Sequence, residues 1–246
     1  MSDNLRFLLL QARRPEDRVR NEERRAFAAR LDVHDDQVIQ ADIFRDDISP
    51  ARLQDVDALL VGGAGEYSVL DDEDGVKACI KLLTHAAERG FPTFGSCFGF
   101  QALVLGLGGT VIEDEPNAEV GTYELQRLKA AESDPLFEEM PEHFLAQLGH
   151  KDRAETMPSG VISLARSERA PHQALVIPGA PVYATQFHPE LTWKDNRQRF
   201  ERYMDHYGKL FGEEEAQRRL DAHEPSPHAN RLLKRFREIF LDGIRA

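Results

Sequence analysis

A cysteine flanked by glycines constrains the fold of this chain more than any other feature. Cys97 has Gly95 two residues before it and Gly99 two residues after it, and a short apolar run leads into the first glycine. The apolar, helix-favouring residues after the second glycine predict a sharp turn from a strand into a helix. Such a turn strains the central residue, and side chains at the flanking positions would collide with the adjoining turn. The segment therefore predicts a strand, a sharp turn and a helix, with Cys97 at the turn.

The same geometry suits a nucleophilic thiol. The start of a helix offers unpaired N–H groups and the positive end of the helix dipole, which stabilise a thiolate. The alternative is that Cys97 is only a small buried apolar residue. Because glycine makes up about 7% of average composition, this flanking pattern arises by chance at roughly one in two hundred per cysteine.

A second segment, residues 183–190, places a histidine and a carboxylate two residues apart where a β-rich run ends. Pro189 lies between His188 and Glu190 and fixes the local backbone. In an activated thiol, cysteine is the nucleophile, histidine is the base, and a carboxylate orients the base. The two segments together favour Cys97 as an activated thiol.

At these residues the chain resembles the class I, triad-type glutamine amidotransferases. Residues 95–101, Gly-Ser-Cys-Phe-Gly-Phe-Gln, are similar to the family's nucleophile motif, and residues 186–190, Gln-Phe-His-Pro-Glu, are similar to its His-Glu motif. The order and separation of the motifs also fit, and the resemblance extends roughly over residues 5–207. Ser96 departs from the pattern, because an aliphatic residue is more common there in the family.

The resemblance implies roles for four residues. Cys97 would be the nucleophile, and His188 would be the general base and acid. Glu190 would be the partner of the histidine, and Gln101 would lie in the glutamine pocket. The fold implied is a flavodoxin-like open α/β sheet with helices on both faces, in which the catalytic turn lies at the carboxyl end of a central strand.

A glycine-rich segment, residues 62–69, follows the predicted strand 58–61. It is compatible with a plain tight turn or a phosphate loop, but it lacks the Gly-Lys-Ser/Thr ending of a Walker loop. In the amidotransferase interpretation, this loop forms an oxyanion hole together with the backbone N–H of Phe98. Gly62 or Gly63 is the expected donor, because a residue without a side chain lets the backbone approach a tetrahedral intermediate.

Residues 149–152, Gly-His-Lys-Asp, resemble the His-x-Asp loop that lies near the active site in the guanylate-synthase-like branch of the family. His150 and Asp152 are therefore candidate substrate-binding residues. A polar turn without a functional role is an equally good interpretation of this segment.

The order of predicted elements indicates a parallel β-α half followed by an antiparallel or mixed part of the sheet. Strands are predicted at residues 5–10, 38–44, 58–61, 91–94, 110–112, 120–128, 144–148, 161–165, 174–177 and 182–187. Helices are predicted at residues 15–31, 71–88, 98–107, 193–211, 213–222 and 230–246. We expect one amidotransferase domain over residues 1–211 and a helical C-terminal extension over residues 212–246 packed on it.

The extension carries an apolar stripe that must be buried against its own chain or against a partner. Prolines at positions 225 and 227 separate the last helix from the preceding one. The stripe consists of Leu232, Leu233, Phe236, Ile239, Phe240 and Ile244.

Composition and charge exclude some classes of function. A chain of 246 residues with 41% hydrophobic content can bury a substantial core, and its net charge of −12 argues against a general binder of nucleic acid or anionic membranes. The region 13–30 is locally basic, with seven arginines and four acids, which is typical of a solvated helix face or of a docking surface for an acidic partner.

The sequence predicts a cytoplasmic protein, because it has two cysteines and shows neither a signal segment nor a long apolar run. Cys79 shares an apolar helical face with its neighbours and is predicted to be an inert core residue. The three histidines in residues 206–228 lack a ligand spacing with cysteine, so we expect neither a metal site nor a cofactor.

The predicted function is hydrolysis of the glutamine side-chain amide through a thioester on Cys97. Ammonia would pass to an acceptor enzyme, and because the family delivers ammonia to a synthase, a separate synthase subunit is the expected partner. One alternative is a stand-alone hydrolase of γ-glutamyl peptides or amides. The other is a non-catalytic binding or regulatory subunit.

Overall fold

The structure is a computed structural model of the chain, and it describes residues 4–14 and 16–243. The strands are β1 (Phe7–Ala12), β2 (Val38–Asp42), β3 (Ala58–Ala64), β4 (Thr93–Ser96), β5 (Thr110–Glu113), β6 (Glu119–Arg127), β7 (His143–His150), β8 (Asp152–Thr156), β9 (Ile162–Arg166), β10 (Ala174–Val176) and β11 (Val182–Thr185). The helices are α1 (Val19–Leu31), α2 (Asp74–Glu88), α3 (Phe98–Gly106), α4 (Trp193–Arg202), α5 (Met204–Phe211), α6 (Glu213–Asp221), α7 (Pro227–Asn230) and α8 (Leu232–Phe240).

Nine strands form one sheet in the order β2-β1-β3-β4-β11-β10-β9-β6-β7. The pairs from β2 to β11 are parallel, and the pairs from β11 to β7 are antiparallel. Strands β5 and β8 form a separate two-stranded antiparallel sheet. The predicted sequence of a parallel half followed by an antiparallel part is therefore confirmed.

Both faces of the parallel half are covered. Alternate residues of β1 belong to different apolar cores: Phe7 and Leu9 pack with Phe27 of α1, whereas Leu8 and Leu10 pack with residues of α2 and α3. A strand buried on both faces has to be apolar throughout, which explains the continuous hydrophobic run near the start of the chain. The expected open sheet with helices on both faces is confirmed.

Three sequence predictions need correction. The helix predicted at residues 193–211 is interrupted at Tyr203, whose φ of −108° and ψ of 17° are not helical, and it forms α4 and α5. Strand β8 lies where the sequence predicts no strand. The helix expected from residue 71 begins at Asp74, because the Asp71 carboxylate accepts a hydrogen bond from the Ser68 N–H at 2.7 Å and so belongs to a turn.

The last helix packs against its own chain. Leu232, Leu233 and Phe236 are fully buried, and the Phe236 ring meets that of Phe94 edge-on at 5.6 Å. Ile239 was expected in the buried stripe but is 41% exposed, because it lies at the edge of the buried face of α8. Ile244 lies outside the described residues, as does Pro15 at the predicted start of α1.

The division between a domain of residues 1–211 and an extension of residues 212–246 stays a prediction. A small apolar cluster crosses that boundary, because Phe200 of α4 packs with Ala216 and Leu220 of α6. In the part of the chain that the structure describes, no helix is both long and apolar enough to cross a membrane.

Candidate active site

Cys97 lies at the turn between β4 and α3, with a φ of 52° and a ψ of −96°. A positive φ is uncommon for a residue with a side chain and marks a strained turn. A Cβ atom on Gly95 would lie 2.8 Å from the backbone of Gly99, and a Cβ atom on Gly99 would lie 2.7 Å from the carbonyl oxygen of Val61. Both flanking glycines are therefore required by space.

His188 and Glu190 leave the sheet at the same edge as Cys97. Strands β4 and β11 are adjacent and parallel, with Ser96 opposite Thr185, so the segments that follow them start side by side. The His188 Nδ1 and Glu190 Oε1 atoms are 2.7 Å apart, and both side chains are buried. The sheet thus brings the two predicted segments together.

The charges of this group are coupled. Burial alone would lower the pKa of His188, but the Glu190 carboxylate and the Cys97 sulfur outweigh burial and raise it to about 10. For Glu190 the directions are reversed. Burial alone would raise the pKa of Glu190, but the adjacent imidazole outweighs burial, so this pKa lies below its ordinary value. The arrangement therefore favours a protonated imidazole next to an ionised carboxylate.

Cys79 lies in a different environment. It is fully buried in α2, and burial raises the pKa of its thiol to about 12. A buried thiol with a raised pKa is a poor nucleophile. The two cysteines therefore differ in the chemistry that their surroundings permit.

Gly62 and Gly63 lie within the end of β3, and not in a loop after the strand as the sequence predicted, and each faces a charged side chain. A Cβ atom on Gly62 would lie 2.7 Å from the Glu23 carboxyl group, and a Cβ atom on Gly63 would lie 2.8 Å from Cε1 of His188. We expected glycine here so that the backbone could approach a reaction intermediate. The structure adds a different reason, since a side chain at either position would collide with a charged group of the protein.

The sequence predictions did not include the buried ion pair next to Gly62. Arg13 Nη2 lies 3.2 Å from Glu23 Oε1, and Gln11 Nε2 donates to Glu23 Oε2 at 2.8 Å. One signal could have revealed it. Glu23 is spaced by four residues from Val19 and from Phe27, so it interrupts the inward apolar stripe of α1.

Helix α1 contains most of the basic region 13–30, for which a solvated face and a docking surface for an acidic partner were the two interpretations. Several of its arginines pair with acids of the same chain, including Arg20 with Asp42 and Arg24 with Asp35. Neutralisation within the chain leaves less free positive charge for an acidic partner than the composition suggested.

Cys97 opens into a cleft of 220 Å³ that also contains Phe98 and Gln101. The rest of the cleft is lined by residues 64–68, 71 and 149–152. Gln101 Nε2 donates to the Asp152 carbonyl oxygen at 2.6 Å and to Gln186 Oε1 at 3.2 Å. Gln101 therefore ties α3 to the start of β8 at the floor of the cleft.

His150 and Asp152 both reach the cleft, although neither lies in a simple turn. His150 ends β7 and Asp152 begins β8, and the Asp152 carboxylate accepts a hydrogen bond from Ser68 at 2.5 Å. His150 Nε2 lies 3.1 Å from Glu119 Oε2, which also accepts from Gln173 at 2.6 Å. Glu119 is buried, and sequence reasoning missed it because it is 31 positions from His150.

Helix α5 carries a tyrosine whose pKa the Cys97 sulfur influences, which the sequence did not indicate. Burial first, and then the neighbouring Tyr203 and Cys97, raise the pKa of Tyr207 to about 12. The Tyr207 ring packs against Phe200 with centroids 4.4 Å apart and ring planes tilted by 36°. The segment around the break at Tyr203 thus places an aromatic side chain within electrostatic reach of the thiol.

Histidine and acidic side chains meet in pairs around the cleft. Among residues 4–14 and 16–243, no group of three or more His, Cys, Asp or Glu side chains is arranged to hold a metal ion. The histidines near the cleft bond instead to one carboxylate each, His188 to Glu190 and His150 to Glu119.

Comparison with known proteins relates the chain to a family. A family model described as glutamine amidotransferase class-I matches residues 29–203. The glutamine-hydrolyzing GMP synthase of Thermosipho africanus is 37% identical over 105 residues, which cover 43% of this chain and 20% of that protein. One of the subunits of the glutamine-hydrolyzing GMP synthase of Pyrococcus abyssi is 30% identical over 135 residues, which cover 55% of this chain and 68% of that polypeptide.

Among solved structures, a glutamine amidotransferase from Thermotoga maritima superposes with a TM-score of 0.72 at 18% identity. The match covers 96% of this chain and 97% of that one, so the likeness of fold includes the C-terminal helices. The chain spans only about a fifth of the length of the Thermosipho africanus relative. On the match of the family model over most of its length, the chain belongs to the class I glutamine amidotransferases.

Proposed function

We propose that the chain hydrolyses the side-chain amide of glutamine through a thioester on Cys97 and releases ammonia. The observation that carries this proposal is the grouping of the Cys97 turn with the buried His188–Glu190 pair at one edge of the sheet. These are the three parts of an activated thiol: a nucleophile at a helix start, a base, and a carboxylate that orients the base.

The first half of the reaction forms the thioester. In the resting site the proton of the Cys97 thiol is already held on Nε2 of His188, and the sulfur attacks the amide carbon of glutamine. The resulting oxyanion accepts hydrogen bonds from the backbone N–H groups of Phe98 and of Gly62 or Gly63. His188 then gives its proton to the amide nitrogen, the C–N bond breaks, and ammonia leaves.

The second half releases glutamate. A water molecule gives a proton to His188 and attacks the thioester carbon, which forms a second oxyanion in the same place. The C–S bond breaks, and the sulfur leaves as a thiolate next to the protonated His188. Glu190 holds the imidazole through both halves, and its negative charge stabilises the protonated ring.

Gln101, His150 and Asp152 are proposed to shape the pocket for the amino-acid end of glutamine. They line the cleft into which Cys97 opens, and hydrogen bonds join them to one another and to Ser68. A pocket that is held together by its own hydrogen bonds loses little entropy when a small polar ligand binds.

The acceptor of the ammonia is proposed to be a separate synthase subunit. The relatives support this, since the one from Pyrococcus abyssi is named as one of the subunits of a GMP synthase. If transfer to a partner is the purpose of the reaction, glutamine hydrolysis by the isolated chain should be slow and should rise when the partner is added.

The first test is replacement of the proposed nucleophile. Cys97→Ala should lower glutamine hydrolysis by several orders of magnitude, because members of such a triad act as one unit. A diazo-ketone analogue of glutamine should label Cys97, as located by peptide mass spectrometry. Cys79→Ala is the matched control and should keep both the activity and the label. Unchanged hydrolysis in Cys97→Ala would leave a non-catalytic role as the better interpretation.

The second test is a comparison of substrates with purified wild-type protein. Glutamine, γ-glutamyl peptides and γ-glutamyl amines are offered at equal concentration, and kcat/KM is measured for each. We expect glutamine to be preferred. Fast cleavage of peptides or amines with poor use of glutamine would replace the amidotransferase proposal with a stand-alone γ-glutamyl hydrolase.

A further inference from the structure

Ser96 is the last residue of β4 and precedes Cys97 directly. It is the position at which the nucleophile motif departs from the aliphatic residue that is common in the family. Its side chain is fully buried. A buried hydroxyl needs a hydrogen-bond partner, so its surroundings should reveal what it does.

The partners of Ser96 are the two residues proposed to activate the thiol. Its Oγ atom lies 2.9 Å from Glu190 Oε2 and 3.3 Å from His188 Nδ1. The other carboxylate oxygen, Oε1, lies 2.7 Å from the same Nδ1 atom. The hydroxyl, the carboxylate and the imidazole therefore form a closed triangle of polar contacts.

The positions of the hydrogen atoms follow from the chemistry of these groups. An ionised carboxylate only accepts, so the single hydroxyl hydrogen of Ser96 is directed to Glu190 Oε2. Glu190 Oε1 requires a hydrogen on His188 Nδ1, and a lone pair of the Ser96 oxygen faces that N–H as well. The Nε2 atom of His188 is then the ring nitrogen left for the thiol.

We propose that Ser96 is a positioning residue, which fixes the Glu190 carboxylate and through it the orientation and the tautomer of His188. The proposal rests on the function proposed above, because it assigns Ser96 a part in activating Cys97. An aliphatic side chain at position 96 could fill the space but could not donate to Oε2. The buried carboxylate would then lose a partner, which costs more than an ordinary hydrogen bond contributes.

The main test compares two variants of the same shape. Threonine and valine differ at this site only in a hydroxyl against a methyl group, so both impose the same crowding on β4. We expect kcat of Ser96→Val to be about tenfold or more below that of Ser96→Thr, with KM similar in the two, since tenfold corresponds to about 1.4 kcal/mol of transition-state stabilisation. Equal kcat in the two variants would overturn the proposal.

A matched control lies on the same strand. Thr93 is also fully buried, and its hydroxyl donates to the Phe91 carbonyl oxygen at 2.8 Å, at the far end of β4 from Cys97. Thr93→Val removes a buried hydroxyl without touching the triangle. Thr93→Val should keep the wild-type kcat. An equal loss of kcat in Thr93→Val and Ser96→Val would show that the loss comes from a weakened strand, and the positioning role would fall.

A double-mutant cycle tests whether Ser96 acts through Glu190. Ser96→Ala is made in the wild type and in Glu190→Gln, and kcat is measured for all four proteins. If the hydroxyl works by holding the carboxylate, Ser96→Ala should cost about tenfold in the wild type and little once Glu190 is replaced. Additive effects of the two substitutions would contradict the positioning role.

A readout that needs no substrate separates this proposal from the proposed function. The rate at which iodoacetamide alkylates Cys97 reports activation of the thiol, whatever the natural substrate is. We expect a slower rate in Ser96→Val than in Ser96→Thr. If wild-type protein fails to hydrolyse glutamine but this difference is present, the function falls and the positioning role stands. If glutamine is hydrolysed and the two rates are equal, the positioning role falls alone.

Discussion

Two buried ion pairs lie on opposite sides of the two glycines at the end of β3. On one side, His188 and Glu190 are 2.7 Å apart, and the His188 ring fills the space next to Gly63. On the other side, Arg13 and Glu23 are 3.2 Å apart, and Glu23 fills the space next to Gly62. Both pairs are almost wholly removed from water, yet they differ in what their cations can do.

The difference is one of proton exchange. An imidazole can gain and lose a proton in the range of pH where proteins work, whereas a guanidinium stays charged. The first pair can therefore take part in chemistry, and the second can only hold geometry and charge. Comparison of the two teaches that a buried ion pair at the end of β3 is no evidence of catalysis unless one member can release its proton.

The largest effect should come from breaking the first pair. His188→Gln removes the proposed base and should lower kcat/KM for glutamine by about 10⁴-fold or more, since triad members act as one unit. Steady-state kinetics measures this. The matched control is His172→Gln, because His172 is half-buried and bonds to Ser163 away from the site. Comparable losses in both variants would contradict a special role for His188.

Breaking the second pair should affect stability instead. Glu23→Gln leaves the buried Arg13 guanidinium with only Asp17, at 3.4 Å, as an acidic partner, and removal of one member of a buried pair costs about 3–5 kcal/mol. Urea denaturation of the variant measures this loss.

The control for that experiment replaces both members of the pair. Arg13→Met combined with Glu23→Leu exchanges the charges for apolar groups and should recover much of the lost stability. If the double variant is no more stable than Glu23→Gln, the loss is not caused by an uncompensated charge.

The same contrast explains what the sequence could and could not reveal about the site. The residues proposed for catalysis lie in two short segments, so local spacing was enough to single out Cys97, His188 and Glu190. The pair of Arg13 and Glu23 depends on how α1 packs against the end of β1, which local spacing does not describe. The one local trace was the acid within the inward stripe of α1.

The fold shows the same limit. Long apolar or periodic segments such as the strand at residues 58–64 and the helix at residues 74–88 were predicted with small errors at their ends. Strand β8 was missed because its partner β5 is about forty positions away, as in the contact between Thr110 and Thr156. The break at Tyr203 has neither glycine nor proline, so nothing in the sequence marked it.

Substitution of Gly62 or Gly63 tests the comparison with a smaller expected effect. Gly63→Ala should push the His188 ring and lower kcat about tenfold or more with little change in melting temperature. Gly62→Ala should disturb Glu23 and lower stability by about 1–3 kcal/mol, the usual cost of overpacking. Activity assays and thermal melts of both variants separate the two sides of the strand end. If both variants lose activity and stability alike, the two ion pairs are not separate in their effects and the contrast fails.

The pH dependence of stability is a further test of the comparison. The pKa of His188 is raised from 6.5 to about 10, so its proton is held more tightly in the folded chain than in the unfolded one. The stability that this proton contributes is fully present below pH 6.5 and is lost as pH rises toward 10. Arg13 stays charged across this range and contributes no such change. We therefore expect the free energy of unfolding to decline between pH 6.5 and 10 in the wild type, and to decline less in His188→Gln. Urea denaturation at a series of pH values measures both curves, and parallel curves would mean that the proton of His188 is not held in the folded state.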